Sequence, residues 1–401
     1  MHDRFSWANH STNTAFFPYG IMTRMEQKDE ITESGIRDWS SVTRLLPWML
    51  LLPLGALLPS LCAGKKAVFE SYALNVYPQI KDAISSLTSW LPFSLAEVIL
   101  YALVIGVPLR ILTRFVMLLM KKTDPVRFVR MLVRLVILAG AVWNLFYVTW
   151  GFNYFRAPLQ DRLAVTVAPR PKEELYDLTV ELARMASQER EGLSEDENGV
   201  FRYETGGYRE KFSALPAAYA VLSELEPCFS GKVTNAKPVA WSEGLSWAGI
   251  SGIYIGLTAE PNVNVDQMPL LIPAAAAHEM AHQLGIASEN EAEFTGILAC
   301  ICSSDPEIRY SGLADALILS GNALYRADPD LYTEARAYYS DAVIRDFRAH
   351  NAYWDAFEGP TEETVTQMND SYLKHNAQES GVRSYGESVD LLLAYRDKKI
   401  F

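Results

Sequence analysis

Residues 270–293 read Leu-Leu-Ile-Pro-Ala-Ala-Ala-Ala-His-Glu-Met-Ala-His-Gln-Leu-Gly-Ile-Ala-Ser-Glu-Asn-Glu-Ala-Glu, and this stretch decides the fold prediction. Pro273 and the alanines after it predict the start of a helix, because proline suits the first helical turn and alanine has the highest helix propensity. Gly285 predicts the end of that helix, because glycine readily takes a left-handed conformation. Ser288, with Glu291 three residues later, predicts a capping box and therefore a second helix directly afterwards.

Two histidines stand four residues apart on the first of these helices, so both imidazole rings lie on one face. His278 and His282 can therefore each direct a ring nitrogen at a single zinc ion. Glu279 follows the first histidine and can act as general base toward a water that the metal activates. Apolar Met280 and Leu284 predict that the helix is buried, which favours a metal site over a chance match to the pattern.

A catalytic zinc needs a third protein ligand and one open position. The second helix, predicted over about residues 289–302, begins with Glu289, Glu291 and Glu293. In zinc proteases of the gluzincin type the third ligand is a glutamate on this helix, in a Glu-x-x-Ala-Asp pattern that residues 289–293 resemble. The resemblance implies Glu289 as ligand and Glu293 as a residue that steadies a ligand histidine. Glu291 or a more distant residue is the alternative, because the helix dipole favours acids in any first turn.

Three apolar runs near the N-terminus predict transmembrane helices, since a helix needs about 20 apolar residues to cross a bilayer. They lie near residues 45–63, 93–110 and 131–151. The second and third runs are each short enough to be a buried core helix, but no run of that length recurs later in the chain. The chain is therefore expected to comprise a disordered cytoplasmic tail over residues 1–42, a membrane domain over 43–154 and an extracytoplasmic domain over 155–401.

Basic residues predict the orientation of these spans. Between the second and third spans stand Arg110, Arg114, Lys121, Lys122, Arg127, Arg130 and Arg134, against the single acid Asp124. Between the first and second spans stand only Lys65, Lys66 and Lys81. The positive-inside rule places the more basic connection in the cytoplasm. The chain after about residue 150 is then expected outside the cytoplasm, at the cytoplasmic membrane.

Charge and cysteine content argue against two other classes of protein. The net charge is -12 and there is no basic stripe, so nucleic acid is not an expected partner. The chain has four cysteines without metal-ligand spacing, so no disulfide framework is expected. The expected partners are a peptide or protein substrate in the cell envelope and the lipid bilayer.

The outer domain is predicted to be mostly helical with a few strands. Its elements are expected to be helices over 171–191 and 208–225, strands over 237–241 and 250–258, a loop that carries Glu260, Asn262 and Asn264, and helices from Asp305 onward. The second strand precedes the histidine helix, so it is either a sheet edge that pairs with an extended substrate or an ordinary core strand. The predicted fold class is α+β, mostly α: an N-terminal bundle of about three transmembrane helices, followed by a zincin-like domain.

Several motifs together resemble a bacterial family of uncharacterised multi-span membrane proteins with an outer domain that bears the His-Glu-x-x-His motif. The motifs are Gly252-Ile-Tyr-Ile255, Glu260-Pro-Asn-Val-Asn264, His278-Glu-Met-Ala-His-Gln-Leu-Gly285, Glu289-Asn-Glu-Ala-Glu-Phe294, Arg309-Tyr-Ser311, Asn369-Asp-Ser-Tyr-Leu-Lys374 and Ser384-Tyr-Gly386. The similarity covers roughly residues 45 to 395. The family usually has Asn where this chain has Glu293.

The resemblance implies metal-assisted hydrolysis, with Zn²⁺ held by His278, His282 and Glu289 and with Glu279 as general base. Such a mechanism also needs a donor that stabilises an oxyanion. The candidates, chosen because they lie in or beside the motifs, are Tyr385 and Tyr310 first, and Lys374 and Arg383 after them.

The expected function is that of a membrane-anchored zinc metallopeptidase that hydrolyses peptide bonds outside the cytoplasm. The alternatives are a non-catalytic zinc-binding sensor or scaffold of the envelope, an amidase that acts on an envelope polymer, and an intramembrane zinc protease. The acids at residues 289–293 disfavour the last, because they directly follow the apolar histidine helix.

Overall fold

Helices form most of the protein in the computed structural model, which describes residues 39–378, 387–396 and 398. The N-terminal helices are α1 (Trp39–Cys62), α2 (Lys66–Asn75), α3 (Tyr77–Thr88), α4 (Leu95–Leu119) and α5 (Pro125–Thr149). After them come α6 (Leu159–Leu163), α7 (Lys172–Arg190), α8 (Gly207–Leu225), α9 (Ser242–Ser246), α10 (Ile272–Gln283), α11 (Glu289–Ile301), α12 (Pro306–Ala327), α13 (Pro329–Ala335), α14 (Asp341–Asp355), α15 (Pro360–His375) and α16 (Ser388–Arg396). The strands are β1 (Lys237–Pro238), β2 (Gly252–Ile255) and β3 (Glu260–Val263). The predicted fold class, α+β and mostly α with three apolar N-terminal helices, is confirmed.

Three helices, α1, α4 and α5, are long and apolar enough to cross a membrane. Many of their large apolar side chains are exposed, as on a surface that faces lipid. Helices α4 and α5 are longer than the predicted spans, since α4 continues to Leu119 and α5 begins at Pro125. The basic residues between the second and third predicted spans therefore lie mainly near the ends of α4 and α5. The connection between these two helices is a short turn. Asp124 caps α5 through a 2.8 Å bond from Val126 N, and proline at the next position favours this early start.

Helices α1 and α5 are in close contact because glycine lies where their backbones meet. A Cβ atom on Gly140 would come within 2.7 Å of the backbone nitrogen of Leu52. The side chain of Asn144, one turn later on α5, donates a 2.7 Å hydrogen bond to the carbonyl oxygen of Leu51. Small residues and interhelical hydrogen bonds of this kind favour helix association in lipid.

The two helices between the first and second apolar helices are linked to the histidine helix α10, α3 directly through Tyr77 and α2 through Arg156. The hydroxyl of Tyr77, at the start of α3, is 3.1 Å from Gln283 O and 3.1 Å from the hydroxyl of Tyr254. Glu70 on α2 forms a 3.0 Å ion pair with Arg156, whose guanidinium also donates to Gly285 O at 2.9 Å. The segment between the first two spans is thus part of the same folded body as the histidine helix.

The sheet has the strand order β1-β3-β2. β3 pairs in parallel with β1 and antiparallel with β2, with Asn262 opposite Lys237 on one side and Ile253 on the other. The predicted loop over Glu260–Asn264 is therefore wrong, because Glu260–Val263 is the central strand. Propensity misled the prediction, since glutamate, proline and asparagine are poor strand formers. Here Glu260 is buried and bonded to Lys237 Nζ at 2.5 Å, so its burial is compensated.

The main hydrophobic core surrounds α10 and is built from α7, α8, α11, α12 and α16. Gly296 lets α11 approach α10 closely, because a Cβ atom there would come within 2.8 Å of the backbone nitrogen of His278. The four cysteines are free, and Cys300 is a fully buried core residue. The core therefore fixes the position of α11 relative to the face of α10 that carries the histidines.

Candidate metal centre

The histidine helix α10 is buried along its whole length. It begins at Ile272, with Pro273 in the first turn, and Gly285 follows it with φ of +80°. The ends of this helix are therefore where proline and glycine predict them. Ala277 and Ala281 are fully buried, and His278 and His282, each one residue later, lie about 100° further round the helix.

Three ligand atoms converge at one point between α10 and α11. The Nε2 atoms of His278 and His282 are 3.1 Å apart. The Oε2 atom of Glu289 lies 3.2 Å from the former and 3.4 Å from the latter. Among the described residues, His278, His282 and Glu289 form the group of histidine, cysteine or acidic side chains whose ligand atoms lie close enough together to share one metal ion. The structure thus brings together the three residues that the sequence predicted as metal ligands.

The other nitrogen of each ring faces an acceptor, which fixes the tautomer. His278 Nδ1 is 2.5 Å from Glu293 Oε2, and His282 Nδ1 is 2.7 Å from the carbonyl oxygen of Ile286. A proton on each Nδ1 satisfies these acceptors and leaves both Nε2 lone pairs directed at the shared point. Glu293 therefore lies where a residue that steadies a ligand histidine is expected.

A second acid, Asp315 on α12, lies behind Glu293 and was not anticipated from the sequence. Their side chains are hydrogen-bonded, so one of the two carboxyl groups carries a proton. Burial and the charge of Glu293 raise the pKa of Asp315 well above its usual range, so the proton belongs to Asp315. A lone acid in the apolar run Gly312-Leu-Ala-Asp-Ala-Leu317 was the available sequence signal.

Glu279 is buried beside the edge strand β2. One carboxylate oxygen, Oε2, has no hydrogen-bond partner among the described residues. The other, Oε1, is so near Gly252 that a Cβ atom there would lie 2.6 Å from it. Burial raises the pKa of Glu279 to about 7, although the nearby histidines oppose this shift. A carboxylate in this state can exchange a proton near neutral pH.

Aromatic residues from the end of α5 and from α15 form one wall of the centre. Trp150, which caps α5, has its ring centroid 5.7 Å from that of His282 and 4.9 Å from that of Tyr254. Tyr154 packs on Trp150, and its hydroxyl is 3.1 Å from the hydroxyl of Tyr372. Burial raises the pKa of both tyrosines, and the charge of Glu289 adds to the rise. The two hydroxyls therefore remain protonated donors close to the third ligand.

Tyr310, one of the two leading candidates for the oxyanion donor, is hydrogen-bonded away from the centre. The hydroxyl of Tyr310 donates a 2.6 Å hydrogen bond to Asp346, a carboxylate that also binds Arg190 at 2.7 Å. A tyrosine hydroxyl has one proton, so this bond argues against the predicted role. Tyr385, like Arg383, lies outside the described residues. Lys374 forms an ion pair with Asp370 on the exposed face of α15.

The alternative ligand, Glu291, is engaged elsewhere. It accepts a 2.6 Å hydrogen bond from the backbone nitrogen of Leu159 and lies 3.5 Å from Arg162. The predicted capping box is also wrong, because Ser288 makes no capping bond and its hydroxyl instead bonds to the side chains of Asn290 and Gln378. Glu291 thus links α11 to the segment after α5 rather than to the start of its own helix.

A family model described as "Protein of unknown function (DUF3810)" matches residues 72–393. The chain belongs to the DUF3810 family. The matched residues include α4, α5, both helices of the metal centre and the aromatic wall. No curated protein and no solved structure matches the chain.

The donor set of this DUF3810 protein fits zinc. Four ligands placed tetrahedrally at about 2.0–2.2 Å from zinc are about 3.3–3.6 Å from one another. The three ligand atoms are 3.1–3.4 Å apart, so one ion can reach all of them with little movement. Burial lowers the pKa of His278 and of His282, but the glutamates outweigh it and both pKa values are raised. A positive charge, from a proton or a metal, is therefore favoured between the rings.

Proposed function

We propose that this protein is a membrane-anchored zinc metallopeptidase. The observation that carries the proposal is the convergence of two imidazole nitrogens and one carboxylate oxygen within 3.1–3.4 Å of each other, with both rings fixed by acceptors. Two nitrogens and one oxygen, with a fourth position left open, are the ligand set of hydrolytic zinc enzymes. When bound, zinc supplies Lewis acidity, which polarises a carbonyl and makes water acidic near neutral pH.

Glu279 is the proposed general base. It follows the first ligand on α10, so its carboxylate lies beside the ligand atoms, and its Oε2 has no other partner in the described part of the chain. A water molecule placed there would transfer a proton to this oxygen as it attacks a peptide carbonyl. Glu279 would then pass the proton to the leaving amine, which is the usual second half of general acid–base catalysis.

The Tyr154–Tyr372 pair supplies the proposed oxyanion donor. When one hydroxyl donates to the other across 3.1 Å, the proton of the acceptor remains free to bind a third group. The free proton would stabilise negative charge that develops on a carbonyl oxygen. The packing of Tyr154 on Trp150, and of Trp150 on His282, supports this role because it holds the pair beside the ligands.

The position of the centre supports an extracytoplasmic orientation. Trp150 at the end of α5 packs against the centre, whereas the basic turn with Lys121 and Lys122 precedes the start of α5. The two features therefore lie at opposite ends of a helix of 25 residues, which is about 37 Å long. With the basic end in the cytoplasm, the positive-inside rule places the centre on the outer side.

The test is metal analysis and peptide hydrolysis with the purified full-length protein. We expect one zinc per chain, loss of zinc in His282→Ala and retained zinc in Glu291→Gln, the matched control. Glu279→Gln should keep zinc and lower turnover of a peptide mixture by 10²-fold or more. A protein that purifies without stoichiometric zinc, or a Glu279→Gln variant with full turnover, would contradict the proposal. Stoichiometric zinc without hydrolysis would instead favour a zinc-binding scaffold or sensor.

A further inference from the structure

The metal centre lies at the ends of two apolar helices. At the end of α5, Trp150 touches His282, and the turn after β2 rests on the same tryptophan: a Cβ atom on Gly256 would lie 2.3 Å from Trp150 Cβ. Tyr254 of β2 packs on the other part of this ring at 4.9 Å. Trp150, the residue that follows α5, therefore contacts both the edge strand β2 and the candidate ligand His282.

The start of α4 is attached to the same sheet. Glu260 of β3 accepts hydrogen bonds from the backbone nitrogens of Leu95 and Ala96, at 3.1 and 2.8 Å. In return, Glu97 in the first turn of α4 accepts bonds from the backbone nitrogens of Ala240 and Trp241, at 2.8 and 2.9 Å. Two apolar helices thus hold the sheet at their ends, so its distance from the apolar layer is fixed at two separate points.

Exposed apolar side chains surround this attachment. Leu87 and Trp90, which shortly precede α4, are 72% and 74% exposed, and Trp241, beside its first turn, is 63% exposed. Aromatic side chains of this kind at the end of a span belong to the interfacial layer of a bilayer. That layer is roughly 5–8 Å thick on each side. The ring of Trp150, which follows α5, contacts the ring of His282 with centroids 5.7 Å apart, so the centre is expected near the level of the lipid headgroups.

The free edge of the sheet is held beside the end of α5 through the contact of Tyr254 with Trp150. β2 is an edge strand in the sheet order, and Ile253 on it is 42% exposed although it is apolar. An extended peptide can add to such an edge through backbone hydrogen bonds. A folded soluble protein has little access to a strand that lies against lipid headgroups. A polypeptide that is anchored by its own transmembrane span passes through the headgroup layer where its chain leaves the bilayer.

Building on the proposed peptidase function, we propose that the substrate is an extended segment of a membrane-anchored polypeptide, within the first few residues outside its span. An extended chain advances about 3.3 Å per residue, so about two residues cross a layer of roughly 5–8 Å, and about six more keep the cleaved bond within roughly 20 Å of that layer. Anchoring raises the local concentration of such segments without any added contact. Sequence preference then comes from side chains opposite β2, and selection of the substrate comes from its position.

The test uses the full-length protein in vesicles of phosphatidylethanolamine and phosphatidylglycerol. Its substrates are three versions of one randomised peptide library. The first library directly follows a single transmembrane span, the second is separated from that span by 30 Gly/Ser residues, and the third is soluble. Mass spectrometry should locate the cuts of the first library two to eight residues from the span, at a rate at least tenfold above the other two. Equal rates for all three libraries would overturn the inference and leave the peptidase proposal intact.

A second measurement does not depend on turnover. A photoreactive p-benzoylphenylalanine replaces Ile253 on the edge strand, and the control carries it at Tyr325, a more exposed position on α12. Crosslinks from position 253 to the span-attached library, and few from 325, are expected even in Glu279→Gln protein. If no library is cut but these crosslinks form, the docking inference stands and the peptidase proposal fails. Absence of crosslinks at position 253 overturns the inference.

Discussion

At the residue scale, the ligand atoms are held by their neighbours as much as by their own helices. Glu293 orients His278, the carbonyl oxygen of Ile286 orients His282, and Asp315 keeps Glu293 in place. Hydrogen-bond acceptors of this kind commonly change metal affinity by 10- to 100-fold when removed. The chemistry of the centre therefore depends on residues that never touch the metal.

Zinc affinity should continue to rise with pH above 6.5, the ordinary pKa of histidine. The pKa of His278 and the pKa of His282 are raised above 6.5, so the zinc-free protein retains a proton there that zinc must displace. That proton stabilises the zinc-free fold below pH 6.5, and the stabilisation is lost as pH rises through the folded-state pKa values. Competition with a chelator at pH 6, 7, 8 and 9 should show affinity that rises about tenfold per pH unit for each displaced proton. An affinity that stays constant above pH 6.5 would contradict the raised pKa values.

Two tyrosines, the exposed Tyr372 and the buried Tyr310, should respond in opposite ways to loss of the hydroxyl. Tyr372→Phe should lower turnover by about 10²-fold and leave zinc and stability unchanged, because it removes one of the two hydroxyls of the proposed oxyanion-donor pair. Tyr310→Phe should leave turnover of the folded protein unchanged and lower the free energy of unfolding by about 1–3 kcal/mol, because Asp346 loses a buried partner. Peptide hydrolysis and denaturant titration distinguish the two, and full turnover in Tyr372→Phe would remove this residue from the mechanism.

The convergence of His278 and His282 was predictable from the sequence because helical spacing places both residues on one face without knowledge of the rest of the fold. Glu289 followed from a resemblance and from its position at a helix start. Trp150 and Tyr372 were missed, because their contacts with the centre join residues more than 80 positions apart. Tyr310 was chosen for its place in a motif, and only its buried bond to Asp346 shows what its hydroxyl does.

At the element scale, the decisive contact is between the edge strand β2 and the histidine helix α10. Gly252 begins the strand and touches the carboxylate of Glu279. The sequence predicted both elements, because β2 has alternating β-branched residues and α10 has a proline start and a glycine end. It did not predict β3. The polar residues of β3 form a central strand because Lys237 neutralises the charge of Glu260 and the backbone at the start of α4 donates a hydrogen bond to it.

A methyl group on Gly252 should impair catalysis without removing zinc. In Gly252→Ala the new Cβ would lie 2.6 Å from Glu279 Oε1, so the flexible carboxylate has to move away. We expect turnover to fall at least tenfold while zinc content and the unfolding transition stay the same, because the ligands do not contact this methyl group. Gly106→Ala on α4, where a Cβ meets no atom within 4 Å, is the control and should keep full turnover. Equal turnover in the two variants would refute the placement of Glu279 as general base.

At the scale of the whole molecule, the metal centre and the apolar helices are one folded unit. Tyr77 of α3, Trp150 after α5 and the Glu70–Arg156 pair all contribute to the surroundings of α10. The three apolar runs were predictable from composition, since length and hydropathy are local properties. The docking of α2 and α3 was not, because their sequences carry no signal that distinguishes packing on α10 from lying on the membrane surface.

Removal of the N-terminal helices should therefore damage the metal centre. A fragment that starts at residue 155 lacks Trp150 and Tyr77, two large side chains that are almost fully buried. Loss of a buried aromatic side chain typically costs about 3–5 kcal/mol. We expect the fragment to bind zinc at least tenfold more weakly than the full chain and to show faster hydrogen exchange in α10. A fragment with the zinc affinity of the full chain would show instead that the centre is independent of these helices.

Trp150 is both the cap of α5 and the neighbour of His282. If α5 crosses a bilayer, as proposed, a lipid layer that is too thin or too thick for its 25 residues changes the tilt of the helix. A change of tilt moves the indole ring of Trp150, and with it the aromatic wall of the centre. Lipid chain length would then act on His282, a candidate metal ligand, through a single aromatic contact.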